Sequence, residues 1–311
     1  MQIGLTLDAV ETAVRDARTA EELGFDYLGC GEHLFFHGPT PNAFVQLAAA
    51  AGATSAIRLV SSITLLPLYP APLAAKLAAS LDQISGGRFE IGVGAGGEYP
   101  AEFEAAGVDP ATRFRRLDEG IRVMRQLFTG ERITFHGEFT TLNDVALQPG
   151  PVQAGGPPIW LGGRGSGAIR RAGRLADVWM PYMVEPATLD RTLTEVRVAA
   201  TDAGRPADAV SGAVFVWTCT DEDGEWARTT GIAKVSETYA QDFTRLADRY
   251  LVLGTPDEVA VRLREFGDAG ADRILLQLAC EPAQRPRVMT TLAREVLPRL
   301  RAAGAVSVNT G

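Results

Sequence analysis

Cysteine is scarce in this chain: Cys30, Cys219 and Cys280 lie far apart, and no CxxC pair occurs. That spacing excludes a zinc ribbon and a disulfide framework, and it fits a reducing compartment. No metal site is expected. No apolar run reaches membrane length and no charged-then-apolar segment leads the chain, so the reading is a cytoplasmic protein with no membrane partner. Positive charge is also in deficit, with 30 Lys and Arg against 38 Asp and Glu and a net charge of −8. Such a surface repels polyanions, and nucleic acid is not an expected partner. Lysines are few, and Lys76 falls in a helical pattern, which disfavours a barrel aldolase or isomerase built on a catalytic lysine. What remains is a 311-residue chain, 46% hydrophobic and 22% charged, the composition of a globular protein with a large core. No linker or shift in composition divides residues 1–311, and one domain is expected.

Hydrophobic periodicity and glycine stops give the order of elements. Strands are read at Gln2–Leu7, Asp26–Cys30, Arg58–Leu66, Arg88–Val93, Pro158–Leu161, Asp177–Met180, Gly212–Cys219 and Arg273–Leu278. Between them fall helices such as Pro72–Ile84 and Arg113–Phe128, the latter with apolar residues at Phe114, Leu117, Ile121, Met124 and Phe128. Thr134–Asn143 reads as an inserted hairpin, and His136 within it receives no role. Joints such as Leu23-Gly24-Phe25-Asp26 and Ala269-Gly270-Ala271-Asp272 repeat one recipe of turn chemistry for tight helix-to-strand loops. Eight βα units in one block predict a single (β/α)8 TIM barrel with insertions, a doubly wound open sheet being the alternative.

In a barrel, chemistry gathers at the C-terminal ends of the strands. There the second strand delivers Glu32-His33, then an aromatic loop through Phe35, Phe36 and His37. Histidine at such a place can move a proton near neutral pH; His37 reads rather as a packing residue. The third strand delivers Ser62 and Ile63. The fourth runs into Gly94, Ala95, Gly96, Gly97 and Glu98, a loop nearly without side chains, which lets backbone pass close to a flat or anionic ligand. A loose GxGxxG in Gly92–Gly97 lacks the acidic partner that a Rossmann site requires. After the fifth strand, Gly162, Gly163, Arg164, Gly165, Ser166 and Gly167 lead into a helix; free amides, a positive helix end and a guanidinium together suit phosphate. Loops Phe35–Asn42 and Glu225–Arg249 are expected to shape a substrate pocket, the second as a polar lid.

Five segments, Ala48–Leu68, Ala75–Gly96, Glu102–Asp109, Arg113–Phe128 and Pro157–Pro181, resemble the luciferase-like flavin and deazaflavin oxidoreductases, and the resemblance covers nearly the whole chain. It implies the barrel, a homodimer and a small-molecule substrate. By the same resemblance, Glu32-His33 corresponds to the acidic-residue–His pair after the second strand, its histidine beside the reactive part of the ring, with Glu32 and His33 as catalytic residues. Ser62-Ile63 corresponds to a non-prolyl cis peptide behind the ring, Gly94-Ala95-Gly96 to the loop beside the ribityl chain, and Gly162, Gly163, Arg164, Ser166 and Gly167 to the phosphate cradle. One departure concerns Glu98. In sugar-phosphate dehydrogenase members an acid follows the GVGxG motif at once, whereas Gly97 intervenes here before Glu98, a candidate acid or base on the rim. Compact length and Leu59–Thr64 lean toward coenzyme F420 and hydride transfer. The alternative is FMN, with a reduced-FMN monooxygenase inserting one atom of O2 into a small organic substrate.

Overall fold

The computed structural model describes residues 1–306; residues 307–311 of the expected domain lie outside the described residues. From the N-terminus the chain forms β1 (Gln2–Thr6), α1 (Ala13–Glu22), β2 (Tyr27–Cys30), α2 (Ala43–Ala53), β3 (Arg58–Leu65), α3 (Ala71–Ser85), β4 (Phe89–Gly94), α4 (Pro100–Ala105) and α5 (Arg113–Phe128). A hairpin of β5 (Ile133–His136) and β6 (Thr141–Val145) follows. Then come β7 (Ile159–Leu161), α6 (Ser166–Leu175), β8 (Val178–Trp179), α7 (Pro186–Asp202), β9 (Ser211–Thr220), α8 (Gly224–Tyr239) and α9 (Ala247–Tyr250). The last elements are β10 (Leu251–Gly254), α10 (Pro256–Asp268), β11 (Ala271–Leu278), α11 (Arg285–Thr291) and α12 (Leu297–Val306).

The strands β1, β2, β3, β4, β7, β8, β9 and β11 pair in parallel in that order, and β11 returns to β1, closing the expected eight-stranded barrel. Each falls where the sequence places a strand. The hairpin is also present, fastened to α5 by Glu119, whose carboxylate accepts the amides of Glu138 and Phe139. Two features differ from the reading. β10 adds a ninth parallel strand against the C-terminal half of β9, because β8 pairs only with the start of that ten-residue strand. The segment expected as a polar lid, Glu225–Arg249, is mostly helical: Asp223 caps α8 by accepting the amide of Trp226, and Ala227, Gly231 and Val235 are buried.

Turn chemistry explains the boundaries. Gly86 ends α3 in the left-handed region (φ +65°), where its N–H reaches the carbonyls of Asp82 and Gln83, a conformation that costs a Cβ-bearing residue. Inside the barrel the lower pole is polar. Glu90 of β4 accepts from Tyr27 Oη at 2.8 Å, from Arg58 at 2.7 Å and from the Trp160 indole, and Arg273 donates to Tyr27 at 3.1 Å. Packed with Tyr27 and Trp160 of this network is a small apolar cluster of Val60, Leu275, Ala213, Val178 and Met180, with Ile63 and Phe215 partly buried against it. The larger core lies between barrel and helices, where Ala74, Ala75, Ala78 and Ala79 of α3 let helix and sheet approach closely.

Candidate active site

Side chains alternate in and out along a strand, so neighbouring strands contribute to common layers inside a barrel. At the upper end this layer divides in two. On the side of β2, β3, β4 and β7 it consists of Gly29, the Ser62-Ile63 bulge, Gly94 and Gly162. On the side of β1, β11 and β9 it consists of Thr6, Gln277 and Trp217, which stand in register with one another. One half is a shelf, the other a wall.

The shelf exists because its positions have no Cβ. A Cβ on Gly92 would stand 2.1 Å from the Ser61 carbonyl oxygen, and one on Gly94 would stand 2.1 Å from Ile63 Cδ1. At Gly29 it would meet Ser62 Oγ at 2.9 Å. The Ser62-Ile63 peptide is cis, as expected, and the β3–β4 register shifts between Ser61 and Thr64. Ile63 thereby lies over Gly92, Gly94 and Gly162 and forms an apolar floor. Ser62 Oγ is buried with no hydrogen-bond partner, an unmet polar atom of the kind a ligand satisfies.

His33 follows β2 and stacks on Phe36, with ring centroids 4.2 Å apart. Its Nδ1 lies 3.0 Å from Glu102, whose side chain is 0% exposed. Glu102 Oε2 also accepts the amide of Leu34 at 2.6 Å. With Nδ1 turned to a carboxylate, Nε2 is the nitrogen left for chemistry. A cavity of about 550 Å³ opens here, bounded by His33, Phe35, Phe36, Pro39 and Tyr99. Glu32 does not perform this orienting task. It is buried, accepts from Ala43 N at 3.2 Å, Leu65 N at 3.1 Å and Tyr69 Oη at 3.1 Å, and so ties the end of β3 to the start of α2. Burial raises its pKa against those hydrogen bonds. Glu102 is the residue that sequence reasoning missed. Its place in the first turn of α4, within Glu102–Asp109, does not by itself separate it from Glu98 or Glu104.

Glu98 lies apart from that pair. It is exposed and accepts from Tyr182 Oη at 2.9 Å; burial and the Glu98 charge push the Tyr182 hydroxyl up to about 12. The Arg164 guanidinium lies over the Tyr182 ring at 4.9 Å and donates to the Met183 carbonyl. Tyr239, from α8, feels the charges of both Glu98 and Arg164, and accepts from the Trp217 indole at 3.3 Å. Three loops and the end of α8 thus meet on the rim. Below them Gly163 takes φ +102° and its carbonyl accepts from Trp179. No side chain caps α6 at Gly165, so the amides around Ser166 and Gly167 at its start are left for another acceptor. Gly96 and Ala95 continue the shelf from β4, with Gly96 in the left-handed region at φ +63°. Cys30, Cys219 and Cys280 are free and buried, and burial pushes the latter two thiols up to about 12 and about 11; they are packing residues. Among the described residues no cluster of His, Cys, Asp and Glu is arranged to hold a metal ion, and no helix is long and apolar enough to cross a membrane.

Comparison with known proteins agrees with this architecture. An uncharacterized protein of Mycobacterium tuberculosis is 37% identical over 182 residues, covering 58% of this chain and 62% of that protein, so the match spans under two thirds of its length. The F420-dependent glucose-6-phosphate dehydrogenase of Amycolatopsis mediterranei is 29% identical over 96% of this chain and 95% of its own. Among solved structures, monooxygenase RslO1 from Streptomyces bottropensis superposes with a TM-score of 0.85 at 28% identity, covering 96% of this chain and 99% of that one. The family model for luciferase-like monooxygenases matches residues 2–273, and the chain belongs to the luciferase-like monooxygenase family.

Proposed function

We propose that residues 1–311 form one luciferase-like barrel domain that binds coenzyme F420 and catalyses hydride transfer to or from a small organic substrate. The observation that carries this reading is the glycine shelf: half of the upper layer is stripped of side chains where added Cβ atoms would collide. A flat heterocycle fits over Ile63, and Ser62 Oγ lacks a partner there. F420 is favoured over FMN because an F420-dependent relative aligns over nearly the full chain; the likeness to a monooxygenase supports the FMN alternative.

On this reading Ser62 and Ile63 lie beneath the ring, Gly94, Ala95 and Gly96 beside the ribityl chain, and Gly162, Gly163, Arg164, Ser166 and Gly167 around the phosphate. When bound, F420 supplies a two-electron hydride donor or acceptor. His33 holds or gives up a proton at Nε2, and Glu102 fixes its tautomer and stabilises the imidazolium when it forms. Glu32 braces the backbone that carries His33, and Glu98 with Tyr182 forms a second acid-base pair at the rim. Phe35, Phe36 and Trp217 exclude water from the substrate. We place the protein in the cytoplasm, as a homodimer. The test is titration of the purified protein with F420 and with FMN, followed by absorbance. At least tenfold tighter binding of F420 is expected; tight FMN binding with oxygen consumption overturns the assignment.

A further inference from the structure

The wall opposite the shelf carries a polar group to which the reading above gives no task. Thr6 and Gln277, at the upper ends of β1 and β11, are joined by a hydrogen bond, and Asp8 lies two residues beyond Thr6. Thr6 Oγ1 donates to Gln277 Oε1 at 2.6 Å, and Gln277 Nε2 donates to Asp8 Oδ1 at 2.7 Å. The contact with Asp8 fixes the orientation of the amide, because a flipped amide would set its oxygen against the carboxylate oxygen, acceptor against acceptor. Arg285, from α11, pairs with Asp8 Oδ2, donates to the Thr6 carbonyl at 2.9 Å, and lies 3.8 Å from Asp16.

Three features suggest a binding site rather than a structural tie. First, access is unequal: the Arg285 side chain is 6% exposed, whereas that of Asp8 is 37% exposed. Yet Asp8 is crowded enough that burial raises its pKa. Asp8 is thus partly open to an incoming group while its cationic partner is closed off. Second, two carboxylates face one guanidinium, so the ionised cluster keeps one negative charge and spare acceptor lone pairs. Third, buried polar atoms in this region remain unmet: Arg285 Nε within the cluster, and Ser62 Oγ, against which a Cβ on Gly29 would press.

We propose that Asp8, held by Gln277 and Arg285, is a substrate-recognition residue that accepts a hydrogen bond from a donor group of the substrate, a hydroxyl or an ammonium. This rests on the shelf holding the redox ring, since the substrate then lies between shelf and wall. Gln277 is a positioning residue: it touches Asp8 and orients it. A substrate that is apolar throughout would leave the Asp8 carboxylate desolvated without compensation, which selects against it.

The probes are propan-2-ol, propane-1,2-diol and 1-aminopropan-2-ol, which differ at one donor group. With F420-loaded protein, the wild type is expected to turn over the diol or the amino alcohol with at least tenfold higher kcat/KM than propan-2-ol. In Asp8→Asn that ratio falls toward one, while F420 affinity stays within twofold. Preference for the diol identifies a hydroxyl, and preference for the amine identifies an ammonium. A second readout needs no turnover: the indole 1H–15N resonance of Trp217, assigned through Trp217→Phe, shifts with the preferred probe in the wild type and not in Asp8→Asn. Gln277→Met, which leaves the Asp8–Arg285 pair in place, weakens the response in the same direction. A ratio unchanged by Asp8→Asn, or no indole shift with any probe, overturns the proposal. Failure of the cofactor reading looks different: F420 does not bind, while the probe-induced indole shift persists.

Discussion

His33 and Glu102 illustrate what one long-range contact adds to a legible motif. Sequence alone marks His33, because histidine is rare here and this one follows a strand in the aromatic loop. Its partner is 69 positions away, and no local pattern distinguishes Glu102 from the neighbouring Glu98 or Glu104. The nearer acid, Glu32, is spent on backbone amides of α2 and β3. His33→Ala is expected to retain F420 affinity and to lose about 10²- to 10⁴-fold in turnover, the range typical of a general acid or base. Glu102→Gln loses less, with kcat lowered and KM little changed, because the imidazole is no longer held in one tautomer and orientation; Glu102→Asp restores part of the rate. A purely structural Glu102 would lower stability and leave kcat of the folded protein where it was. The cysteines give a second check at this scale. With Cys219 pushed up to about 12 and Cys280 up to about 11 by burial, and Cys30 buried as well, the native protein at pH 8 has almost no thiolate. Iodoacetamide is expected to add no mass to the native protein and three carbamidomethyl groups after denaturation.

Strand β4 shows the same distinction within one element, because Gly92 and Gly94 meet different neighbours. A Cβ at Gly92 overlaps the backbone oxygen of Ser61, which cannot turn aside; one at Gly94 overlaps the end of the Ile63 side chain, which can. Gly92→Ala is therefore expected to reach the upper end of the about 1–3 kcal/mol that overpacking costs, read as a lower urea midpoint. Gly94→Ala costs less stability but displaces the floor, so F420 titration weakens while unfolding changes little. The barrel strands were legible because short β-branched and apolar runs alternate with glycine-stopped helices. α8 was not legible: its buried residues are small, its remaining positions mix Thr, Lys and Glu, and its sequence lacks a clear apolar stripe. β10 escaped notice as a four-residue strand entered directly from α9. The shelf was half legible, since the glycines announce bare backbone but only the closed barrel sets Gly29, Gly94 and Gly162 around the Ser62-Ile63 bulge.

Across the whole molecule, the two barrel ends divide the work. The upper end carries the shelf, the wall and the rim, where unmet polar atoms and exposed carboxylates remain. The lower end carries Glu90, which Tyr27, Arg58 and Trp160 saturate with hydrogen bonds. Eight repeated βα units made this polarity readable in outline, because the chain direction alone decides which strand ends face the ligand. The substrate stayed out of reach, because Thr6, Asp8, Gln277 and Arg285 come from opposite ends of the sequence and only closure of β11 onto β1 unites them. If the ends are independent, damage to one should spare the other. Glu90→Leu leaves the partly buried Arg58 guanidinium and two buried donors without their acceptor, and removing one partner of a buried ion pair costs about 3–5 kcal/mol. The midpoint of thermal unfolding should drop accordingly. In the folded fraction at low temperature, F420 affinity and the response of Trp217 to the preferred probe should match the wild type. A Glu90→Leu protein that unfolds like the wild type would show that the lower network does not carry stability, and one that stays folded but loses the ligand would show that the two ends are coupled.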